Sequence, residues 1–151
     1  MNSIGETVDE LNNITNDDTL QYFSFDGEVH LAKVVDCYDG DTITCIFKHD
    51  NKYMKFKIRM DGYDSPEMKP SKTIPEEKRI EIKKNAMIAK KYIESLILHK
   101  NIYVFCKAFD KYGRLLADIK INKDDRQTIN EMMINGGYGY EYHGGTKILD
   151  E

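Results

Sequence analysis

Residues Lys52 to Met60 alternate with a period of two: Met54, Phe56, Ile58 and Met60 fall on one side, and Lys55, Lys57 and Arg59 on the other. An extended strand sends successive side chains to opposite faces, so this run predicts a strand with an apolar core face and a cationic outer face. Arg59 then points away from the Met60 face. Two β-patterned runs precede it, Val29 to Cys37 and Thr42 to Lys48. Asp39-Gly40 between them is a hairpin turn pair, and His49-Asp50-Asn51 turns the chain into the third strand.

Pro66, Pro70 and Pro75 then forbid a regular helix or a central strand, so Tyr63 to Pro75 reads as a long loop. Glu76 to His99 reads as a helix, because Ile82, Ala86, Ala89, Ile93, Leu96 and Ile97 recur at helical intervals along one stripe. Lys83, Lys84, Lys90 and Lys91 lie off that stripe. Ile102 to Phe109 and Arg114 to Ile121 are two more strands, joined by Asp110-Lys111-Tyr112-Gly113 with glycine where a positive φ is expected. Thr128 to Asn135 is a short helix, with Thr128 as cap, Glu131 at capping-box distance and Gly136-Gly137 as its stop. From Tyr138 onward the pattern is irregular. The sum predicts an α+β fold: a five-stranded, partly open OB-like β-barrel with two or three helices, one of them short and near Val8 to Ile14. Such barrels serve binding modules and enzymes alike, so function has to be read from side chains.

A chain of 151 residues fits one domain. Its 22 Lys and Arg against 26 Asp and Glu give a net charge of −4, which argues against a passive coat for nucleic acid. The imbalance is concentrated in residues 1–21, where Glu6, Asp9, Glu10, Asp17 and Asp18 have no Lys or Arg beside them. That stretch is expected to be a flexible acidic leader, with residues 22–151 as the folded domain. An acidic pocket inside basic surroundings remains open to this near-neutral remainder, as a metal-dependent enzyme acting on a polyanion needs. Cys37, Cys45 and Cys106 are odd in number and lack ligand spacing, and no export signal follows Met1. The expectation is an intracellular monomer with reduced thiols and no membrane association. His30, His49, His99 and His143 are scattered, which gives no basis for a zinc site.

Two acidic clusters bracket the cationic strand: Asp39-Gly40-Asp41-Thr42, and Asp61-Gly62-Tyr63-Asp64-Ser65-Pro66-Glu67. Carboxylates gathered from separate segments suit a hard, oxygen-seeking cation. Three blocks, Val35 to Thr42, Ile58 to Glu67 and Asp110 to Ala117, together resemble the signature motifs of the staphylococcal nuclease (thermonuclease) family, in that family's order. The resemblance covers roughly Val29 to Gly137.

The resemblance implies a calcium-dependent nuclease that hydrolyses DNA, RNA or both, leaving 3′-phosphate and 5′-hydroxyl ends. It implies that Asp41 and Asp64 bind one Ca2+ ion with the main-chain carbonyl of Ser65, where the family usually has threonine. Glu67 matches the residue that orients the attacking water or deprotonates it, and Arg59 and Arg114 match the guanidiniums that grip the phosphate. Lys111 and Tyr112 match contacts to a terminal phosphate. Tyr138, Tyr140 and Tyr142 either stack on bases or pack on the barrel. The chain departs from the family in a longer loop after Glu67, and in a last helix that stands reduced or replaced by Tyr138 to Glu151. The alternative is a non-catalytic nucleic-acid-binding or protein-interaction barrel of the same fold.

Overall fold

Thr7 caps a short helix α1 (Val8–Asn12), accepting a 3.1 Å bond at Oγ1 from the Glu10 main chain, and no residue of α1 is buried. The structure, a computed structural model, describes residue 5 and residues 7–142; Met1, Glu6, His143 and the tail beyond Tyr142 lie outside the described residues. Among the described residues Phe25 is the first buried side chain, and its ring meets Phe47 and Phe56 edge-on at 5.6 and 5.4 Å. From there the chain builds β1 (Val29–Cys37), β2 (Thr42–His49) and β3 (Lys52–Met60) as an antiparallel meander. Asp50 and Asn51 make the second turn with φ of 50° and 62°, the conformation that a tight hairpin demands.

A two-residue strand β4 (Tyr63–Asp64) follows, then the proline loop and helix α2 (Glu76–Ile97), whose Ile82, Ala86, Ala89, Ile93 and Ile97 are buried. Leu96 is only partly buried, and α2 stops short of His99, which itself takes a φ of 64°. β5 (Asn101–Phe109) and β6 (Leu115–Lys120) form the second hairpin, with Gly113 at a φ of 83° in its turn. α3 (Ile129–Asn135) carries the expected capping box between Thr128 and Glu131. A last two-residue strand, β7 (Tyr140–Glu141), pairs with β4.

The five long strands close into a barrel in the order β1-β2-β3-β6-β5, with β3 and β6 parallel and the other pairs antiparallel. Closure is complete where a partly open barrel is expected, because β1 also pairs with β5. Two further departures have physical reasons. Tyr63–Asp64 and Tyr140–Glu141 read as loop and tail because each is short and its partner is distant in sequence. Met54 belongs to the apolar alternation yet is 39 % exposed. It sits where the β2–β3 hairpin runs past the pairing of β1 with β2 and of β6 with β3, so β2 alone flanks it. Burial pushes the thiols of Cys37 and Cys45 up to about 12 and that of Cys106 to about 11, so all three are inert core groups. No helix among the described residues is long and apolar enough to cross a membrane.

Candidate active site

The β1–β2 turn is organised by Asp39, whose Oδ1 accepts from the main-chain N–H groups of Asp41 and Thr42 at 3.0 and 2.9 Å. The Tyr38 N–H donates to the Thr42 carbonyl at 2.9 Å, which fixes the entry to the turn. Gly40 is more than a turn residue. A Cβ there would meet the Cβ atoms of Ser65 and Ala89 at 2.7 and 2.9 Å, and its carbonyl accepts from the Tyr63 hydroxyl at 2.6 Å. Glycine thus lets the first acidic cluster, the second and helix α2 approach at one point.

That approach joins the two clusters. Asp41 Oδ2 accepts from the main-chain N–H and the hydroxyl of Ser65 at 2.9 and 3.1 Å, and the Met60 N–H donates to the Asp41 carbonyl at 2.8 Å. Asp41 and Asp64 are only 6 % and 2 % exposed. Between them lies the guanidinium of Arg59, which pairs with Asp64 through Nη2 and stands 3.6 Å from Asp41 Oδ2. Its Nη1 donates to the carbonyls of Met60 and Tyr63 at 2.7 and 2.8 Å. Arg59 does leave the Met60 face, as alternation requires, but it turns into a pocket and not out to solvent.

Arg114 stands just before β6 and is positioned from its own turn. Asp110 accepts from the Tyr112 and Arg114 main chains at 2.8 and 2.9 Å, and from Arg114 Nε at 2.7 Å. The Tyr112 ring, 71 % exposed, lies 5.3 Å from the Arg114 guanidinium and 5.2 Å from the Lys111 ammonium. Asp41, Arg59, Asp64, Ser65, Glu67, Lys111, Tyr112 and Arg114 all line one cavity of about 980 Å3.

A sequence profile described as staphylococcal nuclease homologue matches residues 57–147, more than half of the chain. The chain belongs to this family. A Haemophilus influenzae protein described as an uncharacterized endonuclease is 30 % identical over 115 residues, which are 76 % of this chain and 54 % of that protein. The chain therefore spans about half the length of that curated relative. The profile begins inside β3, so the hairpin carrying Asp41 lies outside the matched residues of this staphylococcal nuclease homologue. Its place in the site rests on geometry, through the contacts of Asp41 with Arg59, Met60 and Ser65.

Charge in the pocket is unevenly distributed. Burial works against the charged form of Asp41, yet the Arg59 guanidinium and the Ser65 main-chain bond outweigh it and hold the carboxyl below its ordinary value. Asp39 moves the other way. Burial and then the neighbouring Asp41 charge push it up to about 7. Among the described residues no three His, Cys, Asp or Glu side chains converge to hold a metal ion. The Asp41 and Asp64 pair nonetheless fits a hard divalent cation. Both offer buried oxygen donors, the main chain at Ser65 is drawn against Asp41, and the pair already balances one cation, the guanidinium of Arg59. A calcium ion takes six to eight oxygen ligands, so the remainder would come from water and substrate.

The three C-terminal tyrosines divide. Tyr138 stacks on Tyr92 at 4.0 Å and is packing, Tyr140 belongs to β7, and Tyr142 lines the cavity with its N–H donating to the Gly62 carbonyl at 3.0 Å. Tyr38, Lys57 and Lys69 also line the cavity and are not singled out by the motifs. For Lys57 the signal was present, since it shares the alternation of Arg59.

Proposed function

We propose that this chain is a calcium-dependent nuclease that hydrolyses phosphodiester bonds in DNA, RNA or both. The observation that carries the reading is the convergence of two buried carboxylates, two guanidiniums and Glu67 from three distant segments on a single cavity. The family membership and the endonuclease description of the Haemophilus influenzae relative support it.

In this reading Asp41, Asp64 and the Ser65 carbonyl hold the cation. Bound calcium would supply positive charge against the phosphate and make a nearby water easier to deprotonate. Glu67 orients that water and receives its proton as the oxygen bonds to phosphorus. The bond from phosphorus to the 5′ oxygen breaks, the departing oxygen takes up a proton, and the ends are 3′-phosphate and 5′-hydroxyl. Arg59 and Arg114 donate to the equatorial oxygens as negative charge gathers there. Three hydrogen bonds occupy only part of the five donors on Arg59, so the group serves both the carboxylates and a phosphate. Lys111 and Tyr112, on the exposed turn, hold a terminal phosphate.

Digestion of matched DNA and RNA strands with calcium or with chelator, followed by end-group analysis, tests the chemistry. Cutting that survives chelation, or ends of the opposite polarity, would overturn it. A strand bound tightly with calcium and left uncut would point to a non-catalytic barrel. Thermal unfolding gives a second readout: calcium at a hundred times its dissociation constant should stabilise the fold by about 2.7 kcal/mol. That gain should vanish when Asp41 and Asp64 are both changed to asparagine.

A further inference from the structure

The β2–β3 ribbon runs away from the cavity with one face open. Its register sets Thr42 opposite Arg59, Thr44 opposite Lys57, Ile46 opposite Lys55 and Lys48 opposite Tyr53. Paired residues in such a ladder project to the same side. Thr42, Thr44, Lys57 and Arg59 line the cavity, so the outer rows continue the cavity's own face. β1 adds Asp36 opposite Thr44 and Lys33 opposite Ile46. Lys33, Lys48, Lys55 and Lys57 are exposed, as is the Tyr53 ring at 74 %, with the Lys48 ammonium 5.2 Å from its centre. Asp36 is the acidic member of these rows. A protein of net charge −4 therefore carries a locally cationic strip that begins at Arg59.

Spacing selects the occupant. Alternate residues of a strand recur about every 6.7 Å, close to the contour of one nucleotide in an extended single strand. Arg59 and Tyr53 stand six positions apart, or roughly 20 Å of ribbon. Along a duplex the base faces are already stacked on one another, whereas a single strand can offer any base to an exposed ring.

We propose that the outer face of the β2–β3 ribbon is a binding track for single-stranded nucleic acid leading into the candidate active site. Lys57, then Lys55 and Lys33 on one rung, then Lys48 meet successive phosphates, and Tyr53 stacks on a base about three nucleotides from the scissile bond. The track rests on the nuclease reading and deepens it, since it favours long strands over dinucleotides.

The test is a Lys48→Gln, Tyr53→Ala, Lys55→Gln variant, whose changed residues all lie beyond the cavity lining. Fluorescence anisotropy in chelator would measure binding of an oligonucleotide long enough to fill the track, over a range of salt. Affinity should fall roughly tenfold or more, and the slope of log K against log salt should become shallower by about 1.4, or about 0.7 for each lost cation. With calcium, the KM for the long strand should rise while cleavage of a dinucleotide stays as in the wild type. Lys83→Gln with Lys84→Gln, on the exposed side of α2, removes the same charge and should leave all of these values unchanged. Unchanged affinity in the first variant, an equal loss in the second, or duplex bound as tightly as single strand would overturn the track. Failure of the wild type to cut either substrate would instead sink the nuclease reading, while the anisotropy series still decides the track.

Discussion

Arg59 and Arg114 face one cavity from halves built in opposite ways. The Arg59 side chain is 12 % exposed and is wedged between two carboxylates more buried than itself, with two main-chain carbonyls behind it. The Arg114 side chain is 29 % exposed and is held by Asp110 within one turn. In the first half, fold and site share the same interactions. In the second, the guanidinium is aimed by a local motif that the barrel does not need. A substitution at Arg59 therefore mixes chemistry with folding, while one at Arg114 separates them.

Arg59→Ala gives the largest expected effect. It strands two buried carboxylates without this cation, a loss that costs about 3–5 kcal/mol when one partner of a buried pair is removed. Turnover should fall by at least the roughly hundred- to thousandfold expected for a lost transition-state donor. Arg114→Ala should show the same loss of turnover with stability within about 1 kcal/mol of the wild type. Urea unfolding beside kcat measurements checks both, and equal unfolding midpoints for the two variants would erase the contrast. Gly40→Ala probes the buried half without touching a charge. The added methyl meets Ser65 and Ala89 closer than carbon atoms tolerate, so the hairpin has to shift at about 1–3 kcal/mol and carry Asp41 with it. Calcium should then stabilise this variant less than the wild type; an unchanged calcium response would mean that the shift never reaches Asp41.

The same division explains what was legible in the sequence. Period-two alternation, the Asp-Gly and Asp-Asn turns and the Thr128–Glu131 box act over a few residues, so β1 to β3, β5, β6 and α3 could be read locally. The turn half of the site is equally local, since Asp110 and Arg114 sit within one hydrogen-bonded loop. The buried half is not. Gly40 reads as an ordinary turn glycine, and its contact with Ala89 exists only once α2 lies on the barrel. Alternation sends Arg59 to the outer face of β3 but carries no sign that Tyr63–Asp64 folds back over it, secured by Tyr140–Glu141 from the far end of the domain. Pairings of two residues across such a distance leave no periodic trace.

Asp110 tests the local half by pH, with the smallest expected effect. Although partial burial works the other way, bonds from the Arg114 and Tyr112 main chains and from the Arg114 side chain hold its carboxyl below the ordinary 3.8. A folded-state value below the unfolded one means that the charged form favours the fold. Its contribution is whole above the unfolded value and is lost as pH falls through 3.8 toward the lower folded value. Asp110→Asn keeps the size and an acceptor for the turn but removes the charge facing Arg114. The wild type should therefore be slightly the more stable at neutral pH, and the gap should close as acid protonates its carboxyl. Thermal unfolding of the two proteins across that range decides the matter: a gap that stays constant through the titration would mean that the turn aims Arg114 by shape alone.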